Sequence, residues 1–280
     1  MTRMLFLDID GTLVGKDQRI PQSAIRAIRA AQGNGHLVLI CTGRAMPEIE
    51  PHILAPGFDG VIAVSGMYAE IHGRVLFDRF IDPAVITRVS ARYDKLGIDY
   101  LWQSSRGMWV TRHYMDKVRV EERFPEGSPE RSRWHSLEVA REQARRDGVT
   151  LGDLVPGSKG TFFALPELGI TYEQVRDVVG DDLDVVRGSM GMFAPENGET
   201  MCKGVSKGEG LRFAAATMGV PLADTVAIGD SDNDLTMIEA AGIGIAMGNG
   251  EQCVKDAADW VTDAVDASGL AHAFEWLGVV

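Results

Sequence analysis

The sequence predicts an α/β protein: a doubly wound, Rossmann-like parallel-sheet core with an inserted α+β domain. Three observations predict it. Short apolar runs without alternation recur near both chain ends, as strands buried on both faces of a parallel sheet require. Capped helical patterns lie between them. The middle of the chain mixes strands and helices in a different pattern. At 280 residues the chain has room for one large or two ordinary domains of about 100–200 residues each.

The first run, residues 4–9 (MLFLDI), ends in acid. Pro21 suits a first helical position, with Ile25, Ile28 and Ala31 behind it and Gly33 and Gly35 as stops. Residues 37–41 (LVLIC) and 60–64 (GVIAV) are the next strands. From about 83 to 189 the pattern changes. A helix is predicted over 83–96, then β pieces at 99–104 (DYLWQS) and 107–112 (GMWVTR). The Arg- and Glu-rich segment 119–147 reads as helical. A strand at 160–165 (GTFFAL), a helix at 172–179 and a strand at 183–187 complete the insert. The core pattern resumes with Ser206 and Glu209, an S-x-x-E capping box ahead of Leu211, Ala214, Ala215 and Met218. A strand at 225–229 (TVAIG), a short helix at 233–241 closed by Gly242, and a strand at 243–247 (IGIAM) follow. The expected domains are therefore 1–82 with 190–280, and 83–189 inserted between them.

Composition excludes several classes. Lys plus Arg number 28 and Asp plus Glu 40, so the formal net charge is −12. That argues against a general nucleic-acid binder, whose phosphate contacts come from Lys and Arg. A small anionic substrate stays open, because it meets local charge. Cys41, Cys202 and Cys253 are scattered and form no CxxC pair, against a disulfide framework. The opening apolar run meets Asp8 too soon for a signal peptide. No stretch approaches the roughly 18 apolar residues of a membrane span. The expectation is a soluble, cytoplasmic protein with no membrane partner.

Four motifs carry chemistry. Asp8-Ile9-Asp10-Gly11-Thr12 closes the first strand, where ligands gather in parallel sheets. Two carboxylates two residues apart reach one point only if the chain turns, and Gly11 permits the turn; solvated acids at a strand end are the plain alternative. Thr42-Gly43-Arg44 follows the second strand. Its hydroxyl, glycine N–H and guanidinium suit an oxyanion, although an ordinary turn with a surface Arg would read alike. Lys207 sits at a helix start, where a cation opposes the macrodipole; an anion held there would explain it, and a solvated lysine would tolerate it. Gly229-Asp230-Ser231-Asp232-Asn233-Asp234 packs acids that repel unless a cation joins them. Oxygen ligands with few His suit a hard metal such as Mg²⁺. An acidic helix start explains only part of this cluster.

The order DxDGT, TGR, KG and GDxxND resembles the haloacid dehalogenase superfamily of aspartate-based phosphotransferases. The long insert resembles the subclass with a large α/β cap domain, the Cof-type sugar-phosphatase family. VSKGEGLRF and VAIGDSDNDLTMIEAAGIGIAMGNG are similar to that family almost residue by residue, and the resemblance covers roughly 1–82 and 190–280. It implies a Mg²⁺-dependent phosphatase acting on small phosphorylated metabolites, sugar phosphates above all. It further implies Asp8 as nucleophile and Asp10 as general acid, then base. Mg²⁺ would be held by Asp8, the Asp10 carbonyl, Asp230 and Asp234. Thr42, Gly43, Arg44, Lys207 and Asn233 would serve the phosphoryl group. The chain departs from the family at Ser65-Gly66-Met67, where Asn-Gly-Ala is usual. The approach 194–204 is also longer than usual.

Elsewhere structural roles are expected. His36, His52, His72, His113, His135 and His272 show no ligand spacing. Trp102 and Trp109 are expected as half-buried sheet residues, with a cap pocket as the alternative. Three rival functions stand beside the phosphatase. One is a serine esterase using Ser231 in a GDS motif, although the motif lies far from the N-terminus and 233 is Asn. The second is a non-catalytic phosphosugar-binding protein, which would need no Asp10. The third is a sugar phosphomutase, which moves phosphate and does not release it.

Overall fold

The computed structural model describes residues 2–111, 156–187 and 196–280, with isolated positions 122, 125, 126, 131, 135, 138 and 142. Most of the segment 119–147, and His113, lie outside the described residues. The architecture is α/β: one largely parallel sheet and one separate antiparallel sheet. The strands are β1 (Met4–Leu7), β2 (Leu37–Cys41), β3 (Gly60–Ala63), β4 (Tyr68–Ile71), β5 (Arg74–Asp78), β6 (Asp99–Ser104) and β7 (Gly107–Val110). Next come β8 (Lys159–Ala164), β9 (Asp184–Arg187), β10 (Glu196–Met201), β11 (Thr225–Gly229), β12 (Ile243–Ala246) and β13 (Trp260–Val261).

The chain divides into two compact units. The first comprises Met1–Arg44, Ile49–Asp78 and Val205–Val280. Its eight strands run in the order β13-β12-β11-β1-β2-β3-β4-β5. Every residue of β1 and β11 is buried, because helices cover both faces. Met4, Phe6, Leu39 and Ala227 pack against Leu211, Ala214 and Met237. The alternating Leu5 and Leu7 are equally buried. Each such side chain contributes about 1.5–3 kcal/mol by leaving water.

β1 pairs in parallel with β2 on one side and β11 on the other, with Leu7 beside Ile40 and Ile228. The chain leaves β1 through β2 and β3, then returns to the opposite side through β11. The carboxyl end of β1 is thus a topological switch point, where open α/β sheets place ligands.

β4 and β5 form an antiparallel hairpin that apolar runs do not reveal. The His72-Gly73 turn is the missed signal. Both turn residues take positive φ, 50° and 73°, as a type I′ hairpin turn requires. Pro21 caps the helix Gln22–Gly33 from outside it, not from within the first turn.

The second unit comprises Ala45–Glu48 and Arg79–Gly204. Its antiparallel sheet runs β7-β6-β8-β10-β9. The helix Pro83–Leu96 starts where Asp82 accepts from Ala84 N at 2.8 Å. Thr171 and Gln174 form a capping box on the helix Tyr172–Val179. Tyr93, Trp102, Phe162 and Val175 make the core of this unit. Trp102 is fully buried and donates to Ser90 Oγ at 2.9 Å, and Trp109 is buried too. Both are core residues, deeper than the half-buried placement expected. Because β10 pairs with β8 and β9, this unit runs on to Gly204, past the boundary expected after residue 189. Among the described residues, no helix is long and apolar enough to cross a membrane.

Candidate active site

Three carboxylates meet one ammonium at the carboxyl ends of β1 and β11. Asp8 extends β1, its N–H donating to Ile228 O at 3.0 Å. The chain then turns through Gly11, whose φ is +83°. Any Cβ there would collide with the Asp230 carboxylate, so glycine is required on two counts. Asn249 braces this turn from the loop after β12, donating to Gly11 O at 2.8 Å.

After β11, Asp234 folds back over its own loop. Its Oδ2 accepts from Asp230 N at 2.9 Å and Ser231 N at 3.1 Å. Gly229 leaves room for that side chain. Thr12 Oγ1 donates to Asp230 Oδ1 at 3.4 Å. Oxygens of Asp8, Asp230 and Asp234 thereby lie within 4.8 Å of one another.

Lys207 starts the helix Lys207–Met218, capped by Ser206 Oγ accepting from Glu209 N at 3.3 Å. Its ammonium is buried and donates to Asp8 Oδ1 at 2.7 Å, Asp234 Oδ1 at 2.6 Å and Asn233 Oδ1 at 3.0 Å. All three donors are used.

The charges do not balance. Three carboxylates face one ammonium, leaving two negative charges in excess. Burial, then Asp234, pushes the Asp8 carboxyl up to about 8, against the pull of Lys207. Burial and Asp234 likewise push Asp230 up to about 7. Burial alone would lower Lys207, but Asp234 and Asp8 outweigh it and raise the ammonium above its ordinary value. An all-oxygen set with a deficit of two positive charges fits a hard divalent cation.

The remaining motif residues gather at β2. Thr42 is buried, and its Oγ1 accepts from Arg44 N at 3.1 Å. Gly43 sits between them in the same turn. Arg44, expected among the phosphate-binding groups, directs its guanidinium at Asp10. Nε lies 2.8 Å from Oδ2 and Nη2 lies 2.6 Å from Oδ1. Asp10's carboxylate therefore stands with Arg44, outside the cluster of Asp8, Asp230 and Asp234. Gln18, which carries no motif signal, accepts from Arg44 Nη2 at 2.7 Å.

The described histidines that bond elsewhere do so away from this cluster. His36 accepts from Arg3 N, His72 pairs with Asp59, and His272 with Asp263. Ser231 donates to Asn233 Oδ1 at 3.0 Å. Among the described residues no histidine bonds it, so they assemble no Ser-His pair. Ser65 is buried at the end of β3, in a turn where Val64, Ser65 and Gly66 all have positive φ.

Residues 5–274 match the haloacid dehalogenase-like hydrolases. The chain is 28% identical over 293 residues to the phosphatase YwpJ of Bacillus subtilis, covering 98% of this chain and 99% of that one. It is 26% identical over 275 residues to a phosphoglycolate phosphatase of Methanothermobacter thermautotrophicus, covering 97% and 96%. The solved structure of a subclass IIB sugar phosphatase of the same superfamily superposes with a TM-score of 0.74. It is 26% identical, and each chain is covered completely.

Proposed function

The chain belongs to the haloacid dehalogenase-like hydrolases as a phosphoric monoester hydrolase, and on that premise we propose that it hydrolyses small sugar phosphates with Mg²⁺ through an aspartyl-phosphate. The observation that carries this reading is the set of Asp8, half-buried Asp230 and Asp234 around the buried Lys207. Its excess of negative charge suits a divalent cation, and its nucleophile stands at the switch point of the sheet.

In this reading the Asp8 and Asp230 carboxylates and the Asp10 carbonyl would hold Mg²⁺, which would neutralise phosphoryl charge. Asp234 serves chiefly to position. Its oxygens are committed to the 230–231 backbone and to Lys207. Asp8 attacks phosphorus, and the bond to the leaving oxygen breaks as Asp10 gives that oxygen its proton. Asp10 then takes a proton from water as the water attacks phosphorus, releasing phosphate and the Asp8 carboxylate. Lys207, Asn233, the Thr42 hydroxyl and Gly43 steady the phosphoryl oxygens, and Arg44 adds positive charge. The unit built on β6–β10 chooses the substrate.

The test is phosphate release across a panel of phosphorylated metabolites, with Mg²⁺ and with EDTA. A sugar phosphate should lead the panel and phosphoglycolate should trail it. Equal turnover in EDTA removes the metal. Transfer of phosphate to a second sugar position, without release, makes the protein a mutase.

A further inference from the structure

Asp10 can pass a proton along one path only if its carboxylate plane is fixed. Arg44 is placed to fix it. The two-point contact of Nε with Oδ2 and Nη2 with Oδ1 defines both distance and plane. Arg44 is itself held at the backbone. Its N–H donates to Thr42 Oγ1 at 3.1 Å, and its carbonyl accepts from Val64 N at 2.9 Å.

Gln18 completes the arrangement at a conformational cost. It occupies the left-handed region with φ of 57°, where glycine would sit without strain. It is half-buried, and its own N–H is spent on closing a turn to Gly15 O at 3.0 Å, not on the site. Its side chain instead accepts from Arg44 Nη2 at 2.7 Å, with Nε2 3.5 Å from Asp10 Oδ1. Its carbonyl bonds His52 Nε2 at 2.9 Å. Nη2 is thus shared between the carboxylate and the amide, and the amide stops the guanidinium from rotating away.

We propose that Gln18 is a positioning residue that locks the Arg44 fork, and through it the Asp10 carboxylate, in the geometry for proton transfer to the leaving oxygen. This rests on the reading of Asp10 as general acid. The readout is leaving-group dependence. An activated aryl phosphate needs little protonation, whereas an alkyl phosphate needs it fully. The measurement is kcat/KM, which reports formation of the aspartyl-phosphate, for 4-nitrophenyl phosphate, phenyl phosphate and the best sugar phosphate. The proteins are wild type, Gln18→Gly, Gln18→Met and Asp10→Asn, each with Mg²⁺.

Gln18→Gly suits the backbone, so it should melt at or above the wild-type temperature; Gln18→Met keeps the bulk without the amide. Both should lose about tenfold on the sugar phosphate, part of the roughly 10²-fold scale of general-acid catalysis. On the nitrophenyl ester the loss should stay within about threefold. Asp10→Asn should show the same trend, steeper. An equal loss on every ester, or no loss on the sugar phosphate, overturns the proposal while leaving the role of Asp10 intact. If Asp10→Asn itself shows no leaving-group dependence, the general-acid reading falls, and the proposal with it.

Discussion

Replacing Lys207 with Met removes the one ammonium that Asp8 and Asp234 share and leaves a side chain of similar length. Lys207 is 1% exposed and Asp234 fully buried, so water does not compensate. Breaking such a buried pair costs about 3–5 kcal/mol. The structure supplies a second route to the magnitude. A stranded carboxylate can escape by taking up a proton. Lys207 is what pulls Asp8 down against burial and Asp234, so without it Asp8 keeps its proton to higher pH still, and each pH unit of that further rise costs about 1.36 kcal/mol once the pH lies above both values. At pH 5 Asp8 is protonated with or without Lys207, so little of this cost remains. The loss should therefore shrink as pH falls. The sign follows from linkage: an acid whose folded value is raised favours the folded state below its unfolded value, and that advantage is lost as pH rises. Urea unfolding of wild type and Lys207→Met in EDTA, at pH 5, 7 and 8, measures this. The expected destabilisation is about 4 kcal/mol at neutral pH and under half that at pH 5. Excess Mg²⁺ at pH 8 should restore part of it. A variant as stable as wild type at pH 8 in EDTA, or a loss that is the same at all three pH values, would refute the charge argument.

Mg²⁺ at a hundredfold excess over its dissociation constant should stabilise the wild type by about 2.7 kcal/mol. That gain should rise between pH 6 and 8, because the cation must displace protons from Asp8 and Asp230, held at about 8 and about 7; a pH-independent gain in thermal melts counts against these ligands. Asp8→Asn should form no phosphoenzyme, and Asp10→Asn should slow turnover of an alkyl phosphate by roughly 10²-fold; labelled phosphate trapped on Asp8→Asn would reject the nucleophile. Gly11→Ala combines a positive φ with a collision against Asp230, so it should cost at least about 1–3 kcal/mol and weaken Mg²⁺ binding, both readable by calorimetry.

The apolar runs at 4–9, 37–41 and 225–229 were enough to announce β1, β2 and β11, because strands buried on both faces need no partner to be recognised as such. The motifs were legible for a related reason. Gly11 between two acids, and three acids with Asn after a strand, are local patterns with few physical explanations. Distant pairings left no such trace. Lys207 lies 199 positions from Asp8, and nothing in the residues near 207 says which carboxylates it meets. Arg44 has the same ambiguity: a guanidinium suits a phosphate and a carboxylate equally well, and only the fold puts Asp10 within 2.6 Å of it. β10 looked like core sequence until its pairing with β8 and β9 assigned it to the second unit. Local sequence thus determined which segments become strands and which residues can carry charge or turn the chain. Tertiary structure decided which charges neutralise one another, because that depends on strand order and helix placement across more than half the chain.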